Sequence, residues 1–202
     1  MTCRGLLFRH CKPPPERAAY RHGRGANIVK SDYVNKDVIS HILAALTAQN
    51  RLVLLVSLCS GLRVSDVLNL RTAELAERMT ITEKKTRKRL KVRLDPALVA
   101  ALQRQAGAVW VFEHRLDVNK HRTRQAVWKD LQRAAKAFRI PHSVRITPHS
   151  ARKIYAVKQY RRTCSIDRVR RLLNHNDKCV TQLYALADVL SARQHTDLDG
   201  YF

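Results

Sequence analysis

Acid is what this sequence is short of. Against 39 Lys and Arg residues stand 16 Asp and Glu, a formal charge of +23. A compact state with that surplus repels itself unless a polyanion shares the charge. The excess runs through the whole chain rather than one tail, so a basic face serving solubility alone is the weaker reading and nucleic acid the stronger. The few carboxylates form no cluster that could hold a pair of divalent ions, which argues against a two-metal nuclease and implies neither metal nor cofactor. The five cysteines are odd in number and scattered, with no CxxC pair. That excludes a zinc knuckle or a disulfide framework and fits reduced, cytosolic thiols. His10, Cys11 and His22 match no ligand spacing. Long apolar runs are also missing. "LLFRHCKPPP" is too short for a signal peptide. "RLVLLVSLCSGLR", about a dozen residues bounded by arginines, reads as a buried helix rather than a membrane span. No segment repeats.

With 202 residues the chain can bury one good core, with room for an extension. Residues 1–34 contain "KPPPER" and "RHGRGAN", where prolines and glycines oppose regular structure. They read as a basic flexible arm, either a disordered tail or a strap that contacts DNA. From there the pattern is mainly helical. Asp37 is expected to cap "VISHILAAL", with Val38, Ile39, Ile42, Leu43 and Leu46 on one face. Gly61 should end the next, buried helix, and Ser65 should cap "DVLNLRTAEL". "MTIT" and "RLKVRL" read as strands joined by a charged hairpin turn, "EKKTRK". Pro96 opens a helix. "AVWVF" is a short strand or buried extended segment. "TRQAVWKDLQRAAKAF" is amphipathic, with Val127, Leu131, Ala134, Ala135 and Phe138 inward. Pro148 opens "HSARKIYAVKQYRR", Ser165 caps "IDRVRRLL", and "KCVTQLYALADVLSAR" forms the last helix before a polar tail, 191–202. The expected fold is mainly α with one small antiparallel β-hairpin sheet, over residues 35–190.

Chemistry-bearing residues stand at the edges of these elements. Arg63 follows a glycine-terminated buried helix. Lys85 stands at a hairpin tip, where a lysine is usually just solvated. His149 and Arg152 share a helix face at i and i+3, so both can meet one phosphate. His175 and Tyr184 lie nine residues apart in "NHNDKCVTQLYAL". Taken alone, Tyr184 falls on a packing stripe with Val180, Leu183 and Ala187.

In order, these segments resemble the tyrosine recombinase (phage integrase) family, over roughly residues 35–190. "SGLRVSDVLNLR" is similar to its first-arginine box, with Arg63 and the acidic Asp66 matching. "KKTRKRLKVRL" is similar to the hairpin that carries its lysine, with Lys85 the better match and Lys84 the alternative register. "TPHSARKIYA" is similar to its HxxR box, through His149 and Arg152. "LLNHNDKCVTQLYAL" is similar to its last box, through His175, Thr181 and Tyr184. Asn174 stands where the family has glycine; asparagine is the next-best residue for a left-handed turn. The family's helical core-binding domain is expected to be lacking, only the basic arm preceding the catalytic domain.

The resemblance implies site-specific DNA recombination on double-stranded DNA through a 3′-phosphotyrosyl intermediate, as carried out by phages and other mobile elements. A homotetramer on paired sites follows from it, and there is room for an accessory DNA-binding protein. No membrane is involved, and the protein is expected on DNA in the cytoplasm of a bacterial or phage-infected cell. Tyr184 is the implied nucleophile. Arg63, Arg152 and His175 would donate to the non-bridging phosphate oxygens. His149 would be the base or hydrogen-bond partner of Tyr184, and Lys85 the proton donor to the leaving oxygen. Asp66 would orient Arg63 or neighbouring groups. The clustered cations are expected to lower the tyrosine pKa. The helix after Tyr184 either docks on a neighbouring subunit or folds back on its own domain. A catalytically idle DNA-binding relative and a type IB topoisomerase-like nicking-closing enzyme are the alternatives.

Overall fold

The computed structural model describes residues 31–141 and 144–187. Most of the basic arm, and everything after Ala187, lie outside the described residues. The elements run α1 (Lys36–Ala45), α2 (Ala48–Ser60), α3 (Val64–Leu68), β1 (Arg78–Thr82), β2 (Arg89–Arg93), α4 (Pro96–Gln105), β3 (Glu113–His114), β4 (Asp117–His121), α5 (Arg124–Ala137), α6 (Pro148–Thr163), α7 (Ile166–Leu173) and α8 (Lys178–Ala185). The described residues are thus mostly helical, with two small antiparallel sheets, β1–β2 and β3–β4.

Two apolar clusters hold these elements. The larger joins α1 to α5 around Ile42, Val53, Leu54, Val67, Leu102 and Leu131, all essentially buried. Each such side chain stabilises the fold by about 1.5–3 kcal/mol relative to exposure. The smaller comprises Tyr155 and Ala156 of α6, Val169 and Leu173 of α7, and Ala185 of α8. The two meet where Gly61 ends α2 in a left-handed conformation (φ 72°). A Cβ at Gly61 would lie 2.5 Å from the Tyr155 ring, so glycine is required both for the turn and for the close approach of α6.

Several local expectations are corrected. Asn35, not Asp37, caps α1: its Oδ1 accepts from Val38 N at 2.9 Å, leaving Asp37 in the first turn. Arg63, not Ser65, is the N-cap of α3, because its carbonyl already accepts from the amides of Asp66 and Val67. That helix ends at Leu68 instead of continuing through "RTAEL", because Arg71 pairs across to Trp110 and Leu70 accepts from the Val111 amide. "AVWVF" is accordingly a buried extended segment, with Trp110, Val111 and Phe112 covered. The β3–β4 hairpin has no apolar alternation to announce it, and its Val118 faces solvent at 56% exposure. Phe138 is not inward. It stands at the end of α5, 43% exposed, stacked on His41 at 5.3 Å. Residues 31–34 are packed: Val34 is in the main core, and Asp32 and Arg145 exchange two hydrogen bonds.

Candidate active site

Three turns and one helix start present the predicted residues. The first turn is Gly61–Arg63. The left-handed Gly61 redirects the chain into Arg63, the N-cap of α3, whose side chain is 17% exposed. Arg63 Nη1 bonds to Glu83 Oε1 and lies 3.9 Å from Asp66 Oδ2. Asp66 is buried, and burial, the largest influence, raises its carboxyl above the usual range. Its Oδ1 accepts from the Lys84 amide at 2.9 Å, which ties the hairpin tip down onto α3.

The second turn is that hairpin tip. Glu83 N donates to Lys88 O and Arg87 N to Glu83 O, closing a turn in which Arg87 takes positive φ. Lys84 and Lys85 are both exposed there. They line a cleft of about 440 Å³ with Arg63, Val64 and Ser65 at the start of α3, Arg124 at the start of α5, and His149.

His149 and Arg152 come from the start of α6. Pro148 occupies its first turn, and Thr147 and Ser150 form a reciprocal capping box. Arg152 is 1% exposed. Its Nη1 donates to Gly61 O at 2.5 Å and its Nη2 to Leu173 O at 2.6 Å. Burial, then the nearby Arg63 charge, brings its pKa down to about 10, so it remains a cation at neutral pH. His149 is also pulled below its ordinary value, by desolvation first and then by Arg152, Arg63, Lys153 and Arg124.

The third turn follows α7. Asn174 adopts the left-handed conformation (φ 53°, ψ 39°) expected of it, and the amides of Asn174 and His175 close back on Arg171 and Arg170. His175 Nδ1 lies 3.2 Å from Thr181 Oγ1, which fixes the ring. Burial, then Arg152 and Arg63, brings His175 to about 4. Its ring stands edge-on to Tyr184, centroids 5.3 Å apart. Tyr184 is half-buried, and its hydroxyl is 3.5 Å from His149 Nδ1, the outer limit of a hydrogen bond. Lys153 Nζ lies 5.8 Å from the Tyr184 ring centroid.

Two expectations about Tyr184 change. Its pKa is raised, not lowered: desolvation outweighs the opposing Arg152 and Arg63 charges. The apolar stripe assigned to it is also only partly buried: Ala187 is covered, but Val180 and Leu183 are 38% and 47% exposed while Thr181 and Ala185 face inward.

The fold therefore brings the predicted residues into two adjoining sets. Arg63 and Lys85 line the cleft, and His175 and Tyr184 touch each other. His149 belongs to both, and Arg152 lies buried beneath, clamped between the ends of α2 and α7. Sequence reasoning missed Glu83, Ser65, Arg124 and Lys153. The one available signal for Glu83 was an acid beside the turn lysines in an acid-poor chain.

Known proteins share this fold. Tyrosine recombinase XerC of Mesorhizobium japonicum is 29% identical over 152 residues, covering 71% of this chain and 48% of that protein. Among solved structures, a lambda integrase dimer bound to a COC′ core site superposes with TM-score 0.65 at 18% identity, over 84% of this chain and 62% of that one. XerH site-specific recombinase bound to difH substrate, in a pre-cleavage complex, superposes with TM-score 0.62 at 17% identity, over 77% of this chain and 51% of that one. The fold is that of a tyrosine recombinase catalytic domain. The chain spans about half the length of the curated relatives it matches. A model of the phage integrase family matches residues 32–189, so the chain belongs to the phage integrase, or tyrosine recombinase, family.

Proposed function

We propose that this chain is a site-specific DNA recombinase that cleaves and rejoins strands through Tyr184. The observation that carries the reading is the contact of the Tyr184 hydroxyl with His149, a residue that also lines the cleft with Arg63 and Lys85. A phosphodiester in that cleft meets a nucleophile, a base and cations from one side. Tyr184 Oη attacks phosphorus while its proton passes to His149 Nδ1. The bond to the 5′-oxygen breaks, and Lys85 supplies the proton that oxygen needs. The product is a 3′-phosphotyrosyl link with a free 5′-hydroxyl. Attack by a 5′-hydroxyl of another strand reverses the chemistry and exchanges the strands.

Arg63, Arg152 and His175 stabilise the charge that grows on the non-bridging oxygens. Both terminal nitrogens of Arg152 are already committed to carbonyls, which fixes the guanidinium, and each keeps a second hydrogen for a further acceptor. That pre-organisation supports its role. Asp66 orients the Arg63 start of α3 and the lysine turn. Desolvation raises Tyr184 above the ordinary tyrosine value, so its hydroxyl stays protonated and attack requires His149 to take the proton. The substrate is double-stranded DNA, which the +23 charge suits, and paired sites would assemble a homotetramer.

The test uses nicked suicide DNA built from paired inverted repeats flanking the gene. A covalent adduct is expected on a denaturing gel, and Tyr184→Phe should abolish it. Persistence of the adduct in that variant would overturn the assignment of Tyr184. Tight, salt-sensitive binding with no adduct would identify an idle DNA-binding relative. Relaxation of plasmids lacking any such site would identify a nicking-closing enzyme.

A further inference from the structure

Glu83 directly precedes the turn lysines, and the chemistry above gives it no task. It is completely buried. Its carboxylate is shared among three segments that the fold brings together from distant parts of the chain. Oε1 accepts from Arg63 Nη1. Oε2 accepts from Thr86 Oγ1 at 2.5 Å and from Asn174 Nδ2 at 2.8 Å. Arg63 begins α3, Thr86 follows Lys85 in the hairpin turn, and Asn174 makes the turn that carries His175. A second tie runs in parallel, from Lys88 Nζ to Asn176 Oδ1.

An ionised carboxylate has about four acceptor positions, and three donors here converge on one. An acid beside a phosphate site is counterproductive unless it serves another purpose, because it competes for the arginine. The geometry supplies two. It locks three catalytic segments into one register, and it offsets mutual repulsion between Arg63 and Arg152 when no phosphate lies between them. Arg63 disfavours the charge on Arg152, whereas Glu83 and Asp66 favour it. Asn174 also gains a reason to be asparagine: glycine would make the same turn but could not donate to Glu83.

We propose that Glu83 is a positioning residue for phosphoryl transfer, holding Arg63, the Lys85 turn and the His175 turn in one frame and balancing the arginine charge in the free protein. The proposal rests on the recombinase reading. Its test separates binding from chemistry in the full chain. Glu83→Gln keeps the side-chain shape and removes the charge. It should bind site DNA at least as tightly as wild type, since a competing anion is gone. Its single-turnover adduct formation at saturating DNA should be slower by about 10–100-fold, the scale of a small misplacement at a reacting centre. A merely structural role would lower the fraction of protein that reacts, or the affinity, and leave the rate of the reactive fraction unchanged; that result overturns the proposal.

Should Glu83→Gln fold poorly, Asn174→Gly takes its place. It keeps the left-handed turn and loses only the amide donor, so slower cleavage with unchanged binding is expected, and an unchanged rate overturns the link to His175. If wild type forms no adduct with any DNA, the recombinase reading fails and a separate measurement decides Glu83. The Arg63 guanidinium NMR signals, assigned with Arg63→Lys, should be restricted in rotation in wild type and lose that restriction in Glu83→Gln. Identical Arg63 signals in both proteins would overturn the positioning role.

Discussion

Arg152 donates to the backbone carbonyl of Gly61, across 91 residues of sequence and at full burial. The second arginine of the site is thus anchored on the turn that launches the first. Its other terminal nitrogen holds the carbonyl of Leu173, one residue before the turn to His175. One side chain therefore joins the ends of α2 and α7 while remaining charged.

Replacing that fork should affect stability and chemistry together. Arg152→Lys keeps a charge but cannot reach both carbonyls in the same planar geometry, so one buried acceptor loses its donor. A loss of about 1.5–3 kcal/mol is expected from urea denaturation, the range for hydrogen bonds to charged groups. Adduct formation should fall further than the unfolded fraction alone explains.

Gly61→Ala should be strongly destabilising for two separable reasons. The left-handed φ of 72° disfavours any Cβ, and the added Cβ would overlap the Tyr155 ring at 2.5 Å. The backbone component alone is worth about 1–3 kcal/mol. Adding Tyr155→Ala should relieve the overlap but not the backbone cost, so denaturant midpoints of the double variant should remain below those of Tyr155→Ala alone.

Acidification should weaken the fold before ordinary carboxylates titrate. His175 has a folded-state value of about 4 against an ordinary 6.5, so the unfolded chain takes up the proton first. Stability from this group is complete above about pH 6.5 and is lost as pH falls toward 4. His149 shifts in the same direction. Chemical denaturation at pH 7, 6, 5 and 4.5 should show the decline, and His175→Gln should flatten it.

Asp130 governs a lower window. Burial works against its charge, but hydrogen bonds from Asn50, Arg133 and the backbone and hydroxyl of Thr47 prevail and bring it to about 2. This lowered carboxylate contributes stability that is present above pH 3.8 and is lost as pH falls toward 2. It ties α5 to the junction of α1 and α2. Asp130→Asn should lower stability at pH 7 by about 1–2 kcal/mol after discounting for solvent screening. The variant should lose less than wild type between pH 4 and 2, as followed by circular dichroism.

Much of the site was legible because its parts are local. His149 and Arg152 share a helix face by spacing alone. Gly61 and Asn174 were readable as left-handed turns from residue type, and the structure gives both positive φ. The hairpin that carries Lys85 was marked by alternation on one side and charge in the turn. Caps were less legible: Asn35 and Asp37 are both good capping residues, and only the backbone path chooses between them. Val180 and Leu183 were misread for a related reason. Helical spacing defines a face of α8 but not which face packs: Ala185 packs against α6 and α7, and Thr181 is buried with it.

By itself, then, the sequence determined the helical content, the basic charge that calls for a polyanion, and the identities and short-range spacing of Arg63, Lys85, His149, Arg152, His175 and Tyr184. These follow from side-chain chemistry and from periods within single elements. Tertiary structure alone decided that Glu83 lies between Arg63 and Asn174, that Arg152 is buried between two carbonyls, and that desolvation of Tyr184 outweighs the cations around it. Each depends on how closely segments distant along the chain approach and how much water they exclude, and both are set by packing rather than by neighbours in sequence.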